Sequence, residues 1–254
     1  MIIMKKWILT LQWALIIGLV AACTTDDEPG VDAHGLKKGY ATGKVTDTEG
    51  NPVKGVEVVI DNTMIHASYS LGNTDANGNY EIQLPKVGTF MASAQIVKQY
   101  NGRRYELDLD PDVYEGFSID GAVRNFQWKL TGERPEGEGY YGATIGLNKS
   151  LYSSIYDEEN IEFTLTPVGS LIDGSKGAIL KMKSGKPYSK TYGYLVDIPL
   201  GRYEMTAYYN GEGGKTPLKL RNHFSEDEYE SKLVIDFEPS TMWGRNSFYI
   251  SYME

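Results

Sequence analysis

The chain of 254 residues holds one cysteine and three histidines. A single Cys excludes an intramolecular disulfide and any Cys-cluster zinc or iron–sulfur site. His34, His66 and His223 stand far apart and in no His-Glu-x-x-His pattern, so the zinc-hydrolase motifs are missing. No P-loop and no Gly-x-Ser-x-Gly elbow is present, and no cofactor is implied. With 25 Lys+Arg against 34 Asp+Glu and no basic block, the chain lacks the clustered cations that phosphate contacts need, which argues against nucleic acid as a partner. No stretch after residue 40 sustains a 3.6 period, so helical classes are excluded. What is present is 41% hydrophobic and 23% charged residues, enough to bury a core.

The amino terminus reads as an address. Lys5 and Lys6 precede Trp7 to Val20, an almost wholly apolar run broken by Thr10 and Gln12. The run is short for a spanning helix, which needs about 20 apolar residues. Val20-Ala21-Ala22-Cys23 resembles the bacterial lipobox. That resemblance implies cleavage between Ala22 and Cys23 and acyl chains, palmitate among them, on Cys23. Multiple acyl chains anchor stably where one binds marginally. The membrane is therefore the first expected partner. The acidic run Asp26-Asp27-Glu28 resembles the export signal of outer-leaflet lipoproteins, and reads equally as a solvated tether. The expectation is a signal peptide over 1–22, an acidic tether over 23–37, and a lipid-anchored, surface-exposed outer-membrane protein.

Period-2 alternation then recurs. Val56, Val58 and Ile60 form one strand face, as do Tyr80, Ile82 and Leu84, then Phe90, Ala92, Ala94 and Ile96, then Phe126, Trp128 and Leu130. Turn signals at Gly50-Asn51-Pro52, Asp75 to Asn79 and Asn101-Gly102 separate them. The pattern predicts an all-β fold of two consecutive β-sandwich domains. Gly43-Lys44-Val45-Thr46-Asp47, Gly50 to Val58, Thr74 to Ile82, and Leu84-Pro85 with Gly88-Thr89-Phe90 occur in that order. This series resembles the carboxypeptidase regulatory-like domain, a transthyretin-like seven-stranded sandwich, over residues 38–132. The resemblance implies a non-catalytic module.

Residues 133–139 read as a polar, Gly-rich linker. Beyond it, Tyr194 to Pro199 with Gly201-Arg202-Tyr203 echoes Tyr80 to Pro85 with Gly88-Thr89-Phe90. Residues 140–254 are expected to form a second sandwich, either a divergent repeat or an unrelated β domain.

Candidate sites are few. Asp75 and Asn77 present oxygens at alternate positions, as a calcium loop does, but a hairpin turn accounts for each of them. Glu106, Asp108, Asp110 and Asp112 alternate with Leu107 and Leu109, predicting one exposed strand face on which Asp108 and Asp110 are weak calcium candidates. Tyrosine carries more colour: thirteen of 19 fall in 140–254. Tyr140, Tyr141, Tyr208, Tyr209 and Trp243 are the candidate ligand-stacking aromatics, with adjacent tyrosines facing opposite ways in a strand. Trp128 reads as core. The resulting expectation is a non-enzymatic binding or adhesion module that captures a glycan or an outer-membrane protein partner. The alternatives are a glycan-acting hydrolase with a carboxylate pair in the second domain and a purely structural spacer.

Overall fold

The computed structural model describes residues 36–239 and 246–254. The leader with Ala22 and Cys23, most of the tether, and Trp243 lie outside those residues. Among the described residues the chain is all-β and contains no α-helix. Before the junction run β1 (Tyr40–Thr46), β2 (Glu57–Asn62), β3 (Tyr69–Asn73), β4 (Asn79–Gln83), β5 (Phe90–Tyr100), β6 (Arg103–Asp108), β7 (Asp110–Pro111), β8 (Ala122–Val123) and β9 (Phe126–Gln127). After it run β10 (Ala143–Lys149), β11 (Ile161–Pro167), β12 (Leu180–Met182), β13 (Tyr194–Ile198), β14 (Arg202–Gly211), β15 (Gly214–Asn222), β16 (Leu233–Asp236) and β17 (Ser247–Met253).

The first half has two layers. One runs β4-β1-β9-β7 with β8 also on β1, and the other runs β3-β2-β5-β6. Alternation decides which side is buried: Val58 and Ile60 of β2, Tyr80 and Ile82 of β4, and Phe90, Ala92, Ala94 and Ile96 of β5 all face inward. The Asp75 turn is local chemistry, since its Oδ1 accepts from the amides of Asn77 and Asn79 at 2.8 and 2.9 Å. The acidic series from Glu106 to Asp112 is not one strand face. The chain leaves the β5–β6 layer at Asp108 and enters the other layer at Asp110, with the buried Leu109 between them. Its carboxylates are held separately: Glu106 by Arg104, Asp108 by Arg134, Asp110 by Lys129 and Asp112 by Asn125.

The second half follows the same plan. Its order is β12-β11-β14-β15-β17-β10-β13, with β16 alongside β14. The segment β13-β10-β17 matches β4-β1-β9, and β12-β11-β14-β15 matches β3-β2-β5-β6. In both halves the first strand pairs in parallel with the last, β1 with β9 and β10 with β17. The two halves differ at β15, which pairs with β14 through Leu218 and with β17 from Lys219 onward, joining the layers into one folded-over sheet. Phe163 and Tyr252 meet across its core in a T-shaped pair at 6.5 Å.

The halves share a continuous buried cluster. The β5–β6 hairpin carries Tyr100, Arg103 and Tyr105 onto the second half. Tyr105 is 1% exposed and its hydroxyl donates to the Phe237 carbonyl at 2.6 Å. Arg103 donates to the Asp236 and Phe237 carbonyls, each at 2.9 Å, and pairs with Glu238. The Tyr100 hydroxyl accepts from the Arg202 amide and donates to the Ser170 carbonyl.

Candidate functional site

An aromatic-lined concave surface lies on the outer face of β13, β10 and β17. Strand register builds it. Tyr194 of β13 and Tyr249 of β17 flank Gly146 of β10 in one row across the sheet. A side chain at Gly146 would run into the Tyr249 ring, so the glycine is what lets that ring lie over the middle strand. The next row is Val196, Thr144 and Ser247, and together these residues floor a cleft of 460 Å³. The 133–142 segment, with Glu133 and Tyr140, forms one wall, and the turn before β13, with Lys190, forms the other. Tyr249 packs edge-on against Phe224 at 5.6 Å, extending the aromatic row onto a ring that is 77% exposed.

Asp197 fixes the first wall. It sits at a bulge in β13 with φ of 61°, a conformation that Asp adopts more readily than most residues. Its carboxylate accepts from the amides of Gly132 at 2.8 and 3.0 Å and Gly142 at 3.2 Å. Gly142 has no room for a side chain against the Asp197 backbone. Replacing Asp197 with Ala is therefore expected to cost about 1–3 kcal/mol in chemical denaturation, by orphaning two amides. Asn at the same position keeps one acceptor oxygen, and its measured cost should be the smaller of the two.

The other tyrosines named from the sequence fare differently. Tyr140 reaches the cleft. Tyr141 does not offer a free face: its ring is buried with the Arg134 guanidinium over it at 4.6 Å, and its hydroxyl donates to Asp110 at 2.8 Å. Burial and the Asp110 carboxylate push that hydroxyl's pKa well up, keeping it a donor. Tyr208 points outward and Tyr209 inward, as alternation requires; Lys215 lies over the first ring, and the second donates to Asp157 at 2.7 Å. Tyr194, Tyr249 and Phe224 were missed in the sequence, because only the register of distant strands brings them together. Gly137-Glu138-Gly139-Tyr140-Tyr141-Gly142 also has Gly-x-Gly-x-x-Gly spacing. It leads into β10, so it lacks the helix N-terminus on which that fingerprint seats a pyrophosphate.

A second groove, of 310 Å³, lies along β5 and β6, and its charges are matched internally as Arg104 with Glu106 and Arg134 with Asp108. Among the described residues no three His, Cys, Asp or Glu side chains gather as metal ligands. A general acid needs a raised pKa. Among the described residues, the carboxylates with shifted values, Asp47, Asp157, Asp173, Asp236 and Glu254, are held low instead.

No family model matches the chain, and no curated protein matches it. Among solved structures it is similar to the TIE protein of Bacillus anthracis at 15% identity and a TM-score of 0.31, over 85% of this chain and 34% of that one. A streptococcal ancillary pilin follows at 10% identity and 0.25, over 84% of this chain and 61% of that one. GBS52, the minor pilin of Streptococcus agalactiae, gives 12% identity and 0.25, over 84% of this chain and 96% of that one. The chain thus spans about a third of the TIE structure's length and under two thirds of the ancillary pilin's. At these scores the likeness carries no argument about function.

Proposed function

We propose that this chain is a non-catalytic cell-surface lipoprotein of the outer membrane, tethered through acyl chains on Cys23, and that it acts as a binding or adhesion module capturing glycans. In this reading residues 38–132 are the regulatory-like module that braces the second, ligand-holding half. The observation that carries it is the row Tyr194, Gly146 and Tyr249, which places aromatic rings along an open cleft with hydroxyls of Thr144 and Ser247 beside them. Apolar C–H faces of a sugar stack on such rings, and its hydroxyls take the polar groups between them.

The test is a glycan-array screen of the full chain, repeated with Tyr249→Ala, Tyr194→Ala and Trp243→Ala. Losing one stacked ring is expected to weaken binding about tenfold, as befits about 1.4 kcal/mol. Binding that survives both cleft substitutions unchanged would remove the cleft from the proposal. An array with no positive glycan would remove the sugar. A spacer is the second reading, favoured by the bonding of the β5–β6 hairpin to the second half.

A further inference from the structure

Among the terminal strands of the described sheets, β3 and β12 lie beside opposite charge. The first is β3, at the end of the β3-β2-β5-β6 layer. Bonds from the Asn62 amide to the Ser68 carbonyl and from the Thr74 amide to the Val56 carbonyl set the ladder phase. Alternation then turns the backbone groups of Tyr69, Leu71 and Asn73 away from β2. The side chains of Tyr69 and Leu71 are exposed as well. On the same face, Glu57 and Asp61 of β2 stand exposed and in no ion pair. Neither proline nor lysine guards this strand, although edges ordinarily carry such protection.

The second is β12, which holds the same place in the second half. It lies within residues 174–196, which hold five lysines and no Asp or Glu, so the chain does carry one basic stretch despite its net charge of -9. Lys181 and Lys183 are exposed beside Ile179, which is exposed too.

We infer that β12 of one copy adds to β3 of another, with Lys181 and Lys183 facing Glu57 and Asp61 and with Ile179 covering Tyr69 or Leu71. The charges favour this pairing over either strand adding to its own kind. Two β3 edges would bring four carboxylates together, and two β12 edges would bring four lysines together. The contact is heterologous, since different patches meet, so it propagates into open assemblies instead of closing on a dimer. A ladder of three to five residues is far smaller than a stable interface, so single contacts are weak and gain from many copies held on one surface.

The test is sedimentation of the full chain in detergent, with one chain per micelle, at about 0.5 mM, where contacts of millimolar affinity or better register. Three samples are compared: the wild type, Glu57→Lys/Asp61→Lys, and Lys181→Glu/Lys183→Glu. The wild type is expected to form a concentration-dependent series of oligomers. Each double variant alone should associate at least tenfold more weakly, with an unchanged melting temperature. Mixing the two variants should restore association, because each supplies the edge charge the other has lost. Amide exchange of Tyr69, Leu71 and Asn73 should slow in the assembled samples. A wild type that stays monomeric, variants that associate as it does, or a silent mixture would each overturn the inference. So would lysine-dependent binding to anionic phosphatidylglycerol vesicles by a chain that does not self-associate.

Discussion

Truncating Tyr105 to alanine is expected to cost the folded chain about 3–5 kcal/mol and to split one unfolding transition into two. The magnitude follows from position. The ring is fully buried beside Tyr100, with centroids 6.5 Å apart, and its hydroxyl reaches the Phe237 carbonyl of the other half. Removing it opens a cavity at the surface where the two halves share one buried cluster. Tyr105→Phe keeps the ring and loses one hydrogen bond, so it should cost about 1 kcal/mol. Guanidinium denaturation followed by near-UV circular dichroism reads both numbers. A loss under 1 kcal/mol in the alanine variant, with a single transition retained, would mean that the halves are stable without this contact.

Acid should loosen the same joint. Burial pushes the Asp236 carboxyl up, but hydrogen bonds from Arg202 and Asn101 and the charges of Arg202 and Arg103 outweigh it and hold the pKa below the usual carboxylate value. A depressed folded pKa contributes stability above the unfolded value, about 3.9, and that contribution is lost as pH falls through the folded value. Asp236→Asn is expected to flatten the acid limb of the stability curve below about pH 4 and leave the neutral limb sloped as before.

The second large effect is expected at Gly43. In β1 it lies opposite Tyr80, and a side chain there would fall on the Arg124 carbonyl oxygen and touch the Tyr80 ring. That oxygen accepts from the buried Tyr80 hydroxyl at 2.6 Å. Gly43→Ala must push Arg124 away, so it adds overpacking to an orphaned hydroxyl. The sum is about 2–5 kcal/mol, read as a fall in the denaturation midpoint. Gly146→Ala makes a useful contrast. The clash there is with the ring of Tyr249, a side chain that can swing outward. Its stability cost should be the smaller, and its effect should appear in ligand binding.

These glycines mark where sequence reading stops. The alternation at Val56–Ile60, Tyr80–Leu84 and Phe90–Ile96 is legible because one face of each strand is buried, and period 2 records that directly. The Asp75 turn is legible because its bonds close within four residues. Trp128, read as core, is buried under the Lys98 ammonium. The Tyr194–Tyr249 row is not legible, since it depends on two registers, one antiparallel and one parallel, between strands far apart in the chain. For the same reason Tyr141 is indistinguishable from Tyr140 by sequence, although one is spent on Asp110 and the other reaches the cleft. The acidic series around Leu109 misleads because alternation does not report where a chain changes layers.

The parallel pairing of first and last strands has a mechanical consequence. A load applied between Tyr40 and Met253 runs along β1 and β9, and along β10 and β17, and slides each pair lengthwise. The six residue pairs that join β10 to β17, from Thr144–Ser247 to Lys149–Tyr252, then resist together instead of peeling one at a time.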